Sequence, residues 1–265
     1  MRLTITHTTG YTYDTPVSYA LQKVRLRPLP GKLQEIVSWD LGIKGGKVET
    51  SYKDHYGNHV DLVSAEIGSH ELIITATGQI DTKDNVGVLG KVYGCAPLWH
   101  FAQASKLTKP SAEIETLSQT ITASDTTLNG LHDLSSAILK AVPYQADKTH
   151  SETTAQEAIT IGHGVCQDHA HIFVSAARLA GLPARYVSGY LMMNDRVDQD
   201  ASHAWAEVHL DDLGWVGFDV SNGVAPDERY VRIATGRDAH DAAPVSGLRM
   251  GDGDETLIVS LQVQQ

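Results

Sequence analysis

The most constraining feature of this sequence is one cysteine at the start of an amphipathic helix. After Cys166, apolar residues fall at Ala170, Phe173, Val174 and Ala177, the inward stripe of a 3.6-residue period. Gly181 supplies a stop and Pro183 prevents continuation. The spacing therefore predicts a buried helix that begins at Cys166 and carries it on the inward face. Gly162 and Gly164 upstream permit close backbone approach. A free thiol is a poor nucleophile until it ionises, and the unpaired N–H groups and positive dipole end of a helix favour the thiolate. Cys166 is the natural nucleophile.

Two strands follow. From 203 to 210, Ala204, Ala206, Val208 and Leu210 alternate with His203, Trp205, Glu207 and His209. Residues 211–214 read as a turn and 215–220 as the returning strand. Directly opposed residues share a face, so His203 and Asp219 meet only if the sum of paired residue numbers is even. A loop with an odd number of residues, or a bulge, meets that condition. Asp219 then lies near or diagonal to His203, within side-chain reach. Cysteine, histidine and aspartate so arranged serve as nucleophile, base and orienter.

The blocks that carry these residues are Gly-His-Gly-Val-Cys-Gln-Asp at 162–168, Ser-His-Ala-Trp-Ala-Glu-Val at 202–208 and Gly-Trp-Val-Gly-Phe-Asp at 214–219. In this order and spacing they resemble the bacterial transglutaminase-like family of the papain-like thiol superfamily. The alternation of Leu3, Ile5, His7, Thr9, Tyr11 and Tyr13, with Arg25-Leu26-Arg27-Pro28 beyond it, resembles that family's N-terminal β-region. Gly236-Arg237-Asp238 and Val259-Ser260-Leu261-Gln262-Val263 resemble its closing segment. The resemblance covers nearly the whole chain. It implies Cys166 as nucleophile, His203 as base and Asp219 as orienter. One departure is Val220, where many relatives carry proline after the aspartate.

The rest of the chain fits an α+β protein: a β-sandwich-like N-terminal region, then helices packed on an antiparallel sheet. Short alternating runs at 3–13, 48–52 and 72–80 are separated by turn residues at Gly31, Gly45-Gly46, Gly57-Asn58 and Gly68. Residues 81–97 read as a linker. Helices are expected over 111–121 and 128–142, where Pro143 stops the second, and Thr154-Ala155-Gln156-Glu157 is a capping box. The expected domains are 1–85, β-rich, and 95–265, catalytic with a C-terminal closing strand.

A formal charge of −11 argues against nucleic acid and anionic membrane as partners. No apolar run approaches a membrane span and the first residues do not read as a signal peptide, so a bacterial-type cytoplasm is expected. In such a reducing compartment Cys95 is a packing or spare thiol and not a disulfide partner of Cys166.

No cofactor or metal is expected. Cys166 and His169 lack further ligands for zinc, and His169 and His171 diverge on a helix. His55, Tyr56 and His59 read as polar strand-end residues. Gln167 and Asp168 are expected to satisfy first-turn N–H groups. One oxyanion donor is the Cys166 N–H. Tyr144, His163, Trp205 and Tyr190 are candidates to line the cleft or complete that hole, and Tyr190 and Arg185, on one strand, either line the cleft or face solvent. Trp205 is placed either to shield the His203–Asp219 pair from water or to pack as an ordinary strand residue, and Glu207 reads as a strand-surface acid. The expected activity is thiol-dependent acyl transfer on a protein or peptide amide, with hydrolysis and transamidation both open. A catalytically idle binding module and a metal hydrolase are the competing classes. Oligomeric state is not legible.

Overall fold

The computed structural model describes residues 1–91, 94–199 and 201–265; Val92 and Tyr93, inside the expected linker, and Asp200 lie outside the described residues. In chain order the strands and helices are β1 (Arg2–Tyr13), β2 (Tyr19–Val24), β3 (Gln34–Lys44), β4 (Gly46–Lys53), β5 (His59–Ala65), β6 (Glu71–Thr82), β7 (Val88–Gly90), α1 (Leu98–Phe101), α2 (Ala112–Ala123), α3 (Thr127–Ala141), α4 (Ala155–Ile161), α5 (Cys166–Leu179), β8 (Ala184–Leu191), β9 (Asp198–Gln199), β10 (His203–Leu210), β11 (Gly214–Phe218), β12 (Tyr230–Gly236), β13 (Val245–Met250) and β14 (Glu255–Gln264). The fold is α+β, with antiparallel sheets.

The strands form three sheets, ordered β3-β6-β1-β14-β9, β13-β2-β5-β4 and β12-β8-β10-β11-β7. The first two make the N-terminal sandwich. Leu3, Ile5, His7, Thr9, Tyr11 and Tyr13 are all buried, as their alternation requires. At about 3.3 Å per residue, β1 is long enough to serve two cores. Tyr11 and Tyr13 pack with Val24, Val63 and Leu72 inside the sandwich. Leu3 and Ile5 pack instead with Tyr190, Val231 and Ile233 of the third sheet. The seam between these cores holds His7, whose Nδ1 lies 2.9 Å from the Tyr190 hydroxyl.

Helices pack on the third sheet through the face that carries Ala184, Ala206 and Val208. Phe173, Val174 and Ala177 of α5 pack with Leu131, Leu134 and Ile138 of α3 and with Ala206, Val208 and Phe218. Side-chain oxygens cap the preceding helices: Ser111 accepts from Ile114 N–H, and Thr154 and Glu157 close the expected capping box on α4.

Two expectations change here. The closing strands, assigned from sequence to the catalytic region, pair within the sandwich: β14 runs along β1 and β13 along β2. A β-region with open edges takes the chain's last strands to cover them, so no single cut divides the molecule. The expected linker contains β7, which pairs with β11 through Trp215 and Gly90.

Candidate active site

Cys166 is the first residue of α5, and the turn before it is tightly made. Gly162 ends α4 in the left-handed region at φ 74°. A Cβ on Gly164 would lie 2.8 Å from the Asp168 Cβ, so only glycine allows Asp168 to fold back over the turn. Its Oδ2 accepts from the Val165 N–H at 2.8 Å and from the Thr149 hydroxyl at 2.6 Å. Burial raises the Asp168 pKa, and these donors only partly offset it. Asp168 thus caps the first turn as expected. Gln167 does not: its amide donates to the Ser151 carbonyl at 3.1 Å. His169 is held by the Ser221 hydroxyl and the Val142 carbonyl, each at 2.7 Å, and His171 Nε2 accepts from the Ala239 N–H at 3.1 Å. Among the described residues, no group of three or more His, Cys, Asp or Glu side chains is placed to hold a metal.

The hairpin from β10 to β11 meets the parity condition. Its loop is Asp211-Asp212-Leu213, an odd number, closed by Leu210 opposite Gly214, which takes φ 73°. Ala206 opposes Phe218, which fixes Asp219 diagonal to His203 on the same face. His203 Nε2 and Asp219 Oδ2 are 2.6 Å apart. The same Oδ2 accepts from Asn222 Nδ2 and the Tyr230 hydroxyl, both at 2.7 Å. Val220 leaves the corner without the relatives' proline, yet the corner is pinned: Asp219 and Val224 exchange backbone hydrogen bonds at 2.9 and 3.1 Å.

The electrostatics follow. Burial pulls the His203 pKa down, but the neighbouring Cys166 and Asp219 together outweigh it and carry the value up to about 10. Burial also opposes ionisation of Asp219, and His203, Asn222 and Tyr230 overcome it, holding the carboxyl below its usual range. With Nε2 on Asp219, the imidazole has Nδ1 free to face the thiol. The pair is dry: Asp219 is fully buried and His203 is 7% exposed. Trp205 lies with its ring centroid 6.3 Å from that of His203, and Tyr230 packs edge-on against Trp205 at 5.4 Å. Trp205 is thus a buried core residue whose ring stacks beside His203.

Two hollows flank the site. One, of about 680 Å³, is lined by His203, Tyr144, Met192, Asn194, Arg229 and Tyr230 among others. The second, of about 330 Å³, has Cys166 in its wall. Tyr144 is therefore at the site, bridged to Gly164. Tyr190 is not: it is buried against His7 at the seam with the sandwich. His163, whose Nδ1 has no hydrogen-bond partner among the described residues, lines neither hollow. Glu207 is no surface acid. It is fully buried, paired with Arg185 at 2.6 Å and Arg232 at 2.7 Å, and Arg185 sits 3.8 Å from the Trp215 ring centroid. Arg185 lines neither hollow. Tyr230 and Asn222 escaped the sequence reading. Asn222 lies in the corner after Asp219, where an Asx-type turn is the available signal, whereas Tyr230 arrives on a separate strand with no local signal.

Comparison with known proteins adds to this geometry. The model of the transglutaminase-like superfamily core matches residues 115–220, and that of the bacterial transglutaminase-like N-terminal region matches residues 3–81. An uncharacterized protein of Mycobacterium leprae is 25% identical over 281 residues, spanning 99% of this chain and 98% of its own. An uncharacterized protein of Mycobacterium tuberculosis is 28% identical over 289 residues, spanning 99% and 92%. Among solved structures, a proposed cysteine protease from Cytophaga hutchinsonii superposes with a TM-score of 0.80 at 22% identity, covering 100% of this chain and 90% of that one. This last likeness is one of fold.

Proposed function

This chain belongs to the transglutaminase-like superfamily, with the N-terminal region of its bacterial members, and on that premise we propose that it is a thiol-dependent acyl-transfer enzyme acting on amide bonds. The observation that carries the reading is the buried His203–Asp219 contact at 2.6 Å, with Cys166 at the start of α5 near enough to act electrostatically on the same imidazole. Cys166 Sγ attacks the amide carbonyl carbon while His203 holds the thiol proton. The Sγ–C bond forms, the C–N bond breaks, and His203 gives the proton to the leaving amine. Water or a second amine, deprotonated by His203, then attacks the thioester and returns the thiol. Asp219 fixes the imidazole tautomer and favours the imidazolium. The Cys166 N–H, at the start of a helix, is one donor to the oxyanion, and Tyr144, which lines the same cleft as His203, is the candidate for the second.

The three residues serve hydrolysis and transamidation equally, so the second substrate decides between protease or amidase and transglutaminase. The substrate is a protein or peptide amide. A reducing compartment such as the cytoplasm suits a thiol nucleophile, and both cysteines are free.

The test compares the two thiols and then the reaction. Iodoacetamide should label Cys166 faster than the exposed Cys95 in native protein, and Cys166→Ala should abolish ammonia or amine release from peptide amides while the fold is kept. Turnover retained in Cys166→Ala would remove the nucleophile assignment. Equal labelling of the two thiols with no turnover would favour a catalytically idle binding module. Added primary amine, with its incorporation followed by mass spectrometry, separates transamidation from hydrolysis.

A further inference from the structure

We propose that the acyl donor carries an uncharged, apolar side chain received in the pocket on the Cys166 side, while the amine departs into the cleft on the His203 side; this rests on the acyl-transfer reading. The orientation follows from proton transfer. The group that protonates the leaving nitrogen must lie within hydrogen-bond reach of it. The amine portion therefore occupies the hollow of about 680 Å³ that His203 lines. Across the scissile bond, the acyl portion faces the hollow of about 330 Å³ that has Cys166 in its wall. That volume is at the lower end of ligand pockets and fits one side chain with its flanking backbone.

The wall of this smaller pocket selects what enters. Ala204, Ala239, Ala242, Ala243, Pro244 and Val165 make most of the wall apolar, and Ser151, Gln167, Ser188 and Ser202 add only uncharged polar groups. Besides Cys166, its titratable members are Tyr186, which is buried, and His240, which is engaged by Glu152 at 2.6 Å. An ammonium or carboxylate on the donor would lose water there and find no unengaged opposite charge among the lining residues, at considerable cost. The opposite cleft is different in kind: Asn194, Asp195, Arg196 and Arg229 contribute polar and charged groups beside Met192 and Met193.

The pocket is also firmly held, so its shape can discriminate. Residues 239–244 connect β12 to β13 and are tied down on several sides. The Ser188 hydroxyl donates to the Ala242 carbonyl at 2.6 Å, and the Ala239 N–H donates to His171 at 3.1 Å. From the sandwich, the Arg25 N–H donates to the Pro244 carbonyl at 2.7 Å and its guanidinium to the Ala243 carbonyl at 3.4 Å. The N-terminal region therefore holds one wall of the acyl pocket, which gives it a part in specificity.

The test uses peptidyl chloromethyl ketones that differ only in the residue next to the reactive carbon: alanine, leucine, phenylalanine, aspartate or lysine. Covalent labelling of Cys166 is followed by intact mass, so amide turnover is not required. Leucine and phenylalanine probes should label at least about tenfold faster than aspartate and lysine probes, in line with discrimination by apolar pockets. Ala243→Leu, at a half-buried wall position, should lower the phenylalanine-to-alanine rate ratio about tenfold, and Ala239→Leu repeats the experiment from another side of the pocket. Charged probes labelling as fast as apolar ones, or ratios unmoved in both folded variants, would overturn the proposal. Labelling by iodoacetamide but by no peptidyl probe would also overturn it and leave the thiol chemistry standing. Failure of iodoacetamide at Cys166 would instead strike the acyl-transfer reading itself.

Discussion

At the scale of single residues, Asp219 is the most connected group in the site. It accepts from His203, Asn222 and Tyr230 on one carboxylate oxygen and from the Asn222 N–H on the other. Asp219→Asn removes the charge that helps raise His203. The basic limb of kcat/KM against pH should therefore move to lower pH, because imidazolium is lost sooner. By comparison with serine triads the rate loss reaches about 10⁴, and papain-like sites that use asparagine set a smaller lower bound. Unchanged activity with a superimposable pH profile would make Asp219 a structural strand-end residue. Tyr230→Phe deletes one hydrogen bond to a buried charge and should cost about 1.5–3 kcal/mol in the worst case, read as roughly a tenfold or greater fall in kcat with KM little changed. The condition for the Asp219–His203 contact was legible in sequence, but not its fulfilment: the turn read at 211–214 has an even count, and the pairing of Gly214 with Leu210 shortens it to the odd loop that puts both residues on one face. Tyr230 was not legible, since its approach depends on β12 packing beside β8.

At the scale of elements, the third sheet is crossed by a charge cluster that the alternation pattern disguised. Glu207 stands on β10 opposite Arg185 of β8, and Arg232 of β12 reaches the same carboxylate. The pattern places Glu207 on the face away from the helices, and an alternating strand with one covered face normally shows the other to water. Here Gln34, Leu89 and Pro226 close around Glu207, and the Phe101 ring centroid lies 5.9 Å from the Arg185 guanidinium, so that face is covered too and the sequence reading of a surface acid failed through a long-range cause. The cluster joins three strands, two of which position His203 and Tyr230. Glu207→Gln leaves the buried Arg185 and the half-buried Arg232 short of their counter-charge and should lower unfolding stability by about 3–5 kcal/mol, seen as a fall in the urea midpoint. Replacing Arg185 by Met as well should recover part of that loss. A shift of under about 0.5 kcal/mol would mean that solvent reaches the cluster.

At the scale of the whole molecule, one strand ties the sandwich to the third sheet, because β1 buries Tyr11 and Tyr13 in the core of the sandwich and Leu3 and Ile5 in a second core formed with the third sheet. Sequence periodicity revealed β1 but not this division, which only the packed sheets decide, nor the return of β14 to its side. The shared seam predicts how stability depends on pH. Burial lowers the pKa values of His7 at the seam and of His171 beneath residues 239–244 to about 4. Both are neutral in the folded protein at pH 5, whereas an unfolded histidine, near 6.5, is largely protonated there. The unfolded state then binds more protons, so stability is full above about pH 6.5 and falls as the pH drops towards 4, by about 2 kcal/mol per histidine at pH 5. His203 acts with the opposite sign. Its folded value near 10 lies above the unfolded one, so its contribution is complete below about pH 6.5 and is lost as the pH rises towards 10. Urea midpoints should therefore peak near neutrality. His7→Gln, whose amide can replace the bond to Tyr190, should flatten the acid limb alone, and His203→Gln the alkaline limb alone. An acid limb unchanged in His7→Gln would show that the seam opens to water before the protein unfolds, and that the two cores on β1 melt separately.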